Sequence, residues 1–349
     1  MPATTLRWAI RGLVLLAVPV LVVAQEPQPR TIPERVIPVP DTVSPGLKKI
    51  IASPIAARAE VPPNNEAWKT LQRLDDVRSE KTAVGAATLL GAKLEPIEIG
   101  GVPCYRVTPK TVAPGKEKFL LLHVHGGAFV FGGGKGATSE AVLLADALQM
   151  PTLSVDYRRP PDHPYPAPVD DVVTVWKAIL KDHDPKTVVM GGTSAGGTLT
   201  MSALLRAKVD RLPVPAAIFL GTPGADLSKT GDTMYLNAEV DHVLGRYEGW
   251  LEAAARLYAG PRELKDPVIS PVYGDLAGFP PTVLITGTRD LLLSDTARTH
   301  RKLRAEGITA ELHVYEGMSH GDYLFAVGAP ESRDALAEVS RFFDRHLQR

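Results

Sequence analysis

The feature that most constrains the fold is the sequence Gly-Thr-Ser-Ala-Gly at residues 192–196. It follows an apolar run at residues 187–190 and leads into a helical pattern at residues 198–207. This is the context of a nucleophile elbow, where the serine takes strained backbone angles and glycines keep strand and helix from clashing. We therefore expect Ser194 to lie at such an elbow. A helix N-terminus capped by serine is the alternative, because the short motif also arises by chance.

A second glycine-rich turn lies upstream, after the apolar strand predicted at residues 119–124. There His125 precedes Gly126 and Gly127, which would expose two backbone N–H groups. With the N–H of Ala195 they could form an oxyanion hole, in which each donor contributes roughly 3–4 kcal/mol to transition-state stabilisation. An ordinary glycine turn is the alternative. We expect the ring of His125 to orient this loop through hydrogen bonds.

An acid and a base should follow the nucleophile in that order, each in a loop at the carboxyl end of a strand. Residues 281–286 read as a buried strand and are followed by Asp290, while residues 310–315 read as a last strand and are followed by His320. The sequence therefore predicts Asp290 as the acid and His320 as the base. The competing acids are Asp295, Asp322 and Glu316.

The elements around the elbow alternate between strand and helix, which is typical of an α/β protein with a mostly parallel sheet covered by helices on both faces. Apolar residues at helical spacing in residues 331–347 predict an amphipathic helix that closes the chain.

Together these motifs resemble the hormone-sensitive-lipase family of α/β-hydrolases, bacterial esterases and lipases with a His-Gly-Gly motif upstream of the elbow. The matching segments are residues 125–128, 156–158, 163–167, 192–197 and 270–281. The resemblance implies the α/β-hydrolase fold and hydrolysis of carboxylic esters by a triad of Ser194, Asp290 and His320. It also implies a helical cap, here from about residues 46–85 and 226–266.

Two positions depart from the family pattern. Thr193 stands where the family usually has an aspartate, so a hydroxyl replaces a carboxylate beside the nucleophile. Leu291, directly after the predicted acid, stands where the family more often has proline. We expect Thr193→Asp to alter the activity or its pH profile while the fold is kept.

The predicted cap carries apolar and aromatic side chains that could line an acyl pocket. The predicted substrate-binding residues are Tyr235, Trp250 and Phe129. Tyr235 and Trp250 lie in the predicted cap segment at residues 226–266, here called the insertion. Phe129 lies in the glycine-rich loop at residues 125–136, here called the oxyanion loop. For each of them, packing of the cap onto the core is the alternative interpretation.

Composition agrees with a globular enzyme. The 349 residues are 44% hydrophobic and 22% charged, which suits a large core. Lys plus Arg and Asp plus Glu both total 39, so no net charge attracts nucleic acid, which is not an expected partner. No ligand spacing implies a metal, and no motif implies a cofactor. The single cysteine, Cys104, reads as a small buried thiol.

The N-terminus resembles a secretory signal. Arg7 and Arg11 precede an apolar stretch at residues 13–23 and a small-residue site near Ala24. The stretch is shorter than the roughly 20 residues that span a bilayer, so export to the periplasm or medium is favoured over an uncleaved anchor. A proline-rich lead-in at residues 25–45 would then precede the hydrolase domain at residues 46–349.

The predicted activity is hydrolysis of carboxylic esters with small to medium acyl chains through an acyl-enzyme. A lactone hydrolase would use the same residues. A peptidase or amidase is disfavoured because no peptide-restricting propeller domain is indicated. A non-catalytic small-molecule receptor of the same fold is disfavoured because the serine, acid, histidine and loop glycines are all present.

Overall fold

A computed structural model describes residues 30–55 and 60–347. Residues 30–37 belong to a unit separate from the one that begins at Pro38, and they contain no helix or strand. The predicted signal at residues 1–24 lies outside the described residues and stays a prediction. In the described part of the chain, every helix is too short or too polar to cross a membrane.

The centre of the second unit is an eight-stranded sheet in the order β1-β2-β4-β3-β5-β6-β7-β8. The pairs β1–β2 and β2–β4 are antiparallel and all others are parallel, which confirms the predicted mostly parallel sheet. The strands are β1 (Lys93–Ile99), β2 (Val102–Thr108), β3 (Leu120–Val124), β4 (Thr152–Val155), β5 (Val188–Thr193), β6 (Ala217–Gly221), β7 (Thr282–Gly287) and β8 (Ala310–Tyr315).

Helices cover both faces of the sheet. They are α1 (Pro45–Ile51), α2 (Asn65–Leu90), α3 (Thr138–Leu148), α4 (Ala167–Ile179), α5 (Ala195–Val209), α6 (Thr233–Leu236), α7 (Trp250–Ala259), α8 (Leu293–Ala305), α9 (Asp322–Phe325) and α10 (Pro330–His346). Short 3₁₀ turns lie at Gly134–Ala137, Pro185–Thr187 and Pro271–Tyr273. The assignment of residues 46–85 and 226–266 to a cap stays a prediction, and α2 continues beyond residue 85.

The central strands are buried on both faces, so successive side chains pack into two different hydrophobic cores, one on each face of the sheet. On β6, for example, Ile218 belongs to the cluster that holds Trp176 of α4, while Phe219 belongs to the cluster that holds Phe342 of α10. Each such side chain contributes roughly 2–3 kcal/mol of burial free energy. Two cores on one sheet give the site a rigid base.

The carboxyl ends of β3, β5, β6, β7 and β8 share one edge of the sheet because these strands are parallel. The segments predicted to carry the oxyanion loop, the elbow, the acid and the base leave from this edge. The fold therefore gathers residues that are far apart in sequence.

Candidate active site

Ser194 forms the predicted sharp turn between β5 and α5. Its backbone angles are φ 61° and ψ −125°, a sparsely populated region for a residue with a side chain. A Cβ at Gly192 or at Gly196 would come within 1.9 Å or 2.0 Å of the carbonyl oxygen of Val124. Glycine is therefore required on both sides of the serine, because strand β3 runs directly against the turn.

The predicted oxyanion donors lie around this turn. Within the described residues, the backbone N–H groups of Gly126, Gly127 and Ala195 donate no hydrogen bond. Gly127 has φ +98°, and a Cβ there would lie 2.5 Å from the carbonyl oxygen of Phe131. The loop thus keeps unpaired N–H groups in a conformation that only glycine adopts without strain.

Helix α2 supports the oxyanion loop from outside the sheet. Asp75 accepts a hydrogen bond from the N–H of Gly132 (2.9 Å), and Asp76 accepts one from the N–H of Gly133 (3.1 Å). Arg159 forms a two-pronged ion pair with Asp76, with N–O distances of 2.9 and 3.0 Å. The loop is therefore fixed by charged side chains of a helix distant in sequence.

His125 contacts the loop that it precedes. Its Nδ1 lies 2.8 Å from the carbonyl oxygen of Gly126, and its ring stacks on Tyr157 at 4.0 Å between centroids. Burial, with the charge of Arg159, lowers the pKa of His125 to about 3. The ring is neutral at physiological pH, so it acts in this structure through packing and a hydrogen bond.

Asp290 and His320 meet at the sheet edge. His320 Nδ1 lies 3.2 Å from Oδ1 of Asp290 and 3.0 Å from the hydroxyl of Thr222. Asp290 also accepts hydrogen bonds from the hydroxyls of Thr222 and Thr286 and from the N–H of Leu292. Both groups are buried.

These contacts settle which nitrogen of His320 carries its proton. The single proton of Thr222 points to Asp290, so toward His320 the hydroxyl oxygen can only accept. Ionised Asp290 also only accepts. Nδ1 must therefore carry the proton, which leaves the lone pair of the neutral ring on Nε2.

Asp290 and His320 stabilise each other's charged forms. Burial would raise the pKa of Asp290, but the hydrogen bond and charge of His320, with the two threonine hydroxyls, hold that pKa below its ordinary value. For His320 the effects have the opposite sign: burial lowers the pKa, but Asp290 raises it above the ordinary value. The arrangement favours ionised Asp290 and stabilises positive charge on His320.

The elbow and the loop of His320 are in contact. The N–H of Ser194 donates to the carbonyl oxygen of Gly221 (2.7 Å), the residue before Thr222. A Cβ on Gly321 would lie 3.7 Å from the side chain of Thr193. The structure thus brings the segments of the predicted nucleophile, acid and base to one place.

The competing acids are engaged elsewhere. Asp322 accepts from the N–H of Ser319 (2.7 Å) and lies 2.8 Å from His242. Asp295 lies on α8 and accepts from the N–H of Asp226 (3.0 Å). Glu316 is exposed. In the described part of the chain, only the carboxylate of Asp290 hydrogen-bonds the ring of His320.

A further buried carboxyl lies close by. Asp241, in the segment between α6 and α7, accepts from the backbone N–H groups of Val243, Leu244 and Leu291. Burial and the charge of Asp290 raise the pKa of Asp241 to about 6. This side chain joins the insertion to the residue next to the acid.

A cavity lies beside Ser194 and Ala195. Its apolar lining includes Phe129, Leu227, Met234, Tyr247, Leu251 and Leu292. Among the described residues, the lining does not include the other two predicted substrate-binding residues. Tyr235 is 62% exposed and lies under the ammonium of Lys229, while Trp250 packs on Phe131 with 6.3 Å between centroids. Trp250 is thus packed against its neighbours, whereas Tyr235 is largely exposed to solvent.

The sequence did not reveal Thr222, Thr286, Asp241 or Glu140, all of which hydrogen-bond residues of the site. Thr222 directly follows β6, and a hydroxyl residue at the carboxyl end of an apolar segment was an available signal. The others carry no local signal, because their partners are set by the fold.

Comparisons with known proteins agree with this fold. The family profile described as the alpha/beta hydrolase fold matches residues 121–324. An esterase of Acinetobacter venetianus is 30% identical over 252 residues, which are 72% of this chain and 81% of that protein.

Solved structures are similar over most of the chain. The crystal structure of an esterase, E25, has a TM-score of 0.89 and 46% identity, over 92% of this chain and 99% of that one. An esterase of the bacterial hormone-sensitive lipase family has a TM-score of 0.72 and 28% identity, over 87% of this chain and 99% of that one. The chain therefore belongs to the α/β-hydrolase family, resembles its hormone-sensitive-lipase-like esterases, and is an ester-hydrolysing enzyme.

Proposed function

We propose that this enzyme hydrolyses carboxylic esters of small to medium acyl chains through a covalent acyl-enzyme on Ser194. His320 is the general base and Asp290 orients it. The observation that carries the proposal is the contact of His320 Nδ1 with Asp290 and Thr222, which leaves Nε2 as the basic nitrogen. A serine hydroxyl needs such a base because it is a weak nucleophile at neutral pH.

In the first half-reaction, Ser194 attacks the ester carbonyl while His320 Nε2 takes the hydroxyl proton. The carbonyl oxygen becomes an oxyanion and is bound by the unpaired N–H groups of Gly126, Gly127 and Ala195. The tetrahedral intermediate then expels the alcohol, to which His320 returns the proton. Asp290 stabilises the imidazolium that exists between these two transfers.

In the second half-reaction, water replaces the alcohol. His320 takes a proton from the water as it attacks the acyl carbonyl, and the same three N–H groups bind the second oxyanion. The collapse of that intermediate breaks the bond to Ser194, whose oxygen recovers its proton from His320. The products are a carboxylic acid and the free enzyme.

The cavity beside Ser194 supports the acyl-chain preference. Leu227, Met234, Tyr247 and Leu251 come from the insertion and face the same cavity as the serine. An apolar wall at this place binds an acyl chain by removing it from water, at roughly 0.8 kcal/mol per buried methylene. The hydroxyl of Tyr247 donates to the carbonyl oxygen of Leu227, which fixes the ring in the wall.

The test combines covalent labelling with turnover. We expect a fluorophosphonate probe to label the enzyme once, at Ser194, and Ser194→Ala to lower kcat by about five to six powers of ten. Ser202→Ala is the matched control, since Ser202 is buried on α5, the helix that follows Ser194, and its hydroxyl has no partner within the described residues. A series of aryl esters, with lactones alongside, measures acyl preference.

Two results would contradict the proposal. Full turnover in Ser194→Ala would remove the nucleophile assignment. A rate that rises steadily up to long acyl chains, or that is higher for lactones than for every open-chain ester, would overturn the substrate class.

A further inference from the structure

Beneath the elbow, a buried carboxylate contacts the residue before the nucleophile. Glu140 lies on α3, and its Oε1 accepts a hydrogen bond from the hydroxyl of Thr193 at 2.5 Å. Its Oε2 accepts from the backbone N–H of Thr193 at 3.2 Å and lies 3.1 Å from Nε2 of His123. The chain thus has a carboxylate at this place, although Thr193 itself carries none.

The same hydroxyl also reaches the loop of the base. Thr193 Oγ1 lies 2.5 Å from the hydroxyl of Tyr323, which is on α9 shortly after His320. Because the proton of Thr193 points to Glu140, Tyr323 is the donor in this second bond. Glu140, Thr193 and Tyr323 therefore form a directed chain of hydrogen bonds from α3, through the elbow, to the segment that carries His320.

Burial makes this chain costly to leave incomplete. Glu140 is 7% exposed, Thr193 4% and Tyr323 2%. A carboxylate in such surroundings is stable only when donors satisfy it, and each donor is in turn held in place by the charge. A Cβ on Gly221 would come within 2.4 Å of the Thr193 hydroxyl, so the surrounding backbone leaves little space for rearrangement.

We propose that Glu140 is a positioning residue for the reaction: its carboxylate holds both polar groups of Thr193 and so sets the spacing between Ser194 and the loop of His320. This inference rests on the proposed function of Ser194 and His320. In the resembled family an aspartate usually occupies position 193, on the elbow itself. Here a carboxylate contacts position 193 but is supplied from α3.

Moving the carboxylate from position 140 to position 193 tests the proposal. Glu140→Gln keeps the size of the side chain and removes its charge. We expect kcat to fall roughly tenfold to a hundredfold with KM little changed, as for the loss of a charge-assisted hydrogen bond that positions but does not bind substrate. Thr193→Asp alone places two carboxylates in contact and should also lower kcat. The double variant Glu140→Gln/Thr193→Asp again has one carboxylate at this place. Its kcat should therefore be at least about tenfold higher than that of either single variant.

Controls separate positioning from general destabilisation. Glu98→Gln is the matched control, because Glu98 is exposed on β1 and far from the site in the sheet order. Thermal unfolding is measured for every variant. Wild-type kcat in Glu140→Gln, or a double variant no faster than the slower single variant, would overturn the proposal. If Glu140→Gln does not fold, Tyr323→Phe takes its place: a lowered kcat at unchanged KM supports the proposal, and wild-type kcat overturns it.

Labelling distinguishes this failure from failure of the proposed function. If a fluorophosphonate does not label Ser194 in the wild-type enzyme, the proposed nucleophile is wrong whatever Glu140 does. If the wild type is labelled stoichiometrically and Glu140→Gln is labelled at the same rate, only the role of Glu140 is refuted.

Discussion

The two sides of the candidate active site are supported in different ways. On the acid–base side, Asp290 and His320 are held by hydroxyls at the ends of neighbouring strands, Thr222 and Thr286, in a fully buried setting. On the oxyanion side, Gly126 and Gly127 belong to a loop that α2 holds through ionic contacts. The side chains of the ion pair are partly exposed there, Asp76 by 32% and Arg159 by 16%.

This difference predicts which substitutions affect each side of the site. Buried polar contacts leave no water to replace a lost partner, so a change there acts directly on charge and proton position. Ionic contacts near the surface are partly screened, and water can replace a lost partner. The acid–base side should therefore respond to small chemical changes, and the oxyanion side to changes of backbone shape.

The strongest test of the comparison is Asp290→Asn. The amide presents a donor where Nδ1–H of His320 needs an acceptor, so we expect kcat to fall by about four powers of ten. The pKa of His320 should also drop, since burial that lowers it remains while the charge that raises it is removed. The base works in its neutral form, so the acid limb of kcat/KM should move to lower pH. Kinetics across pH measure both effects.

Asp182→Asn provides the control for that exchange, because Asp182 is exposed. An acid limb that stays where the wild-type enzyme has it would show that Asp290 does not set the charge on His320.

A backbone change on the other side should have the next largest effect. In Gly127→Ala the added Cβ meets the carbonyl oxygen of Phe131 at a positive φ, so the loop must move. We expect kcat to fall by roughly 10²–10³, as for the loss of one oxyanion donor, with the acid limb unchanged. Gly134→Ala is the control, since a Cβ there has open space but shares the positive φ. Equal losses in both variants would assign the effect to strain alone.

The smallest effect should come from Asp76→Asn. This change weakens the ion pair with Arg159 but leaves an acceptor for the N–H of Gly133. Because the pair is partly exposed, we expect roughly a fivefold loss of kcat, equivalent to about 1 kcal/mol. Steady-state kinetics at low and high salt measure it, and the difference from wild type should shrink with salt. A loss as large as that of Asp290→Asn would abolish the contrast between the two sides.

The local parts of the site could be predicted from the sequence. The elbow and the Gly126–Gly127 turn demand particular residue types within a few positions, because clashes with β3 and a positive φ exclude side chains. The order of Asp290 and His320 followed from which strands they leave. The mostly parallel sheet followed from alternating strands and helices.

The supporting residues could not be predicted in the same way. Glu140 is separated from Thr193 by 53 positions, and Thr222 from Asp290 by 68. Nothing in the sequence around Glu140 and Thr222 distinguishes them from ordinary helix and loop residues. Their contacts form only when α3 and β6 pack in the folded chain. The substrate-binding role of Tyr235 and Trp250 stays a prediction, because neither lines the cavity beside Ser194 in the described residues. Tyr235 and Trp250 have suitable chemistry, but backbone geometry turns other side chains, such as Tyr247, toward the cavity.

The cavity wall has a consequence for how such an enzyme can diversify. Met234, Tyr247 and Leu251 line it from an excursion between β6 and β7 that adds no strand to the sheet. The reactive groups, in contrast, sit at strand ends whose positions the two cores dictate. If the proposed function holds, acyl preference can be changed at these lining positions while Asp241, in the same stretch, keeps its hydrogen bond to Leu291 beside the acid. These lining positions are the natural targets for directed evolution.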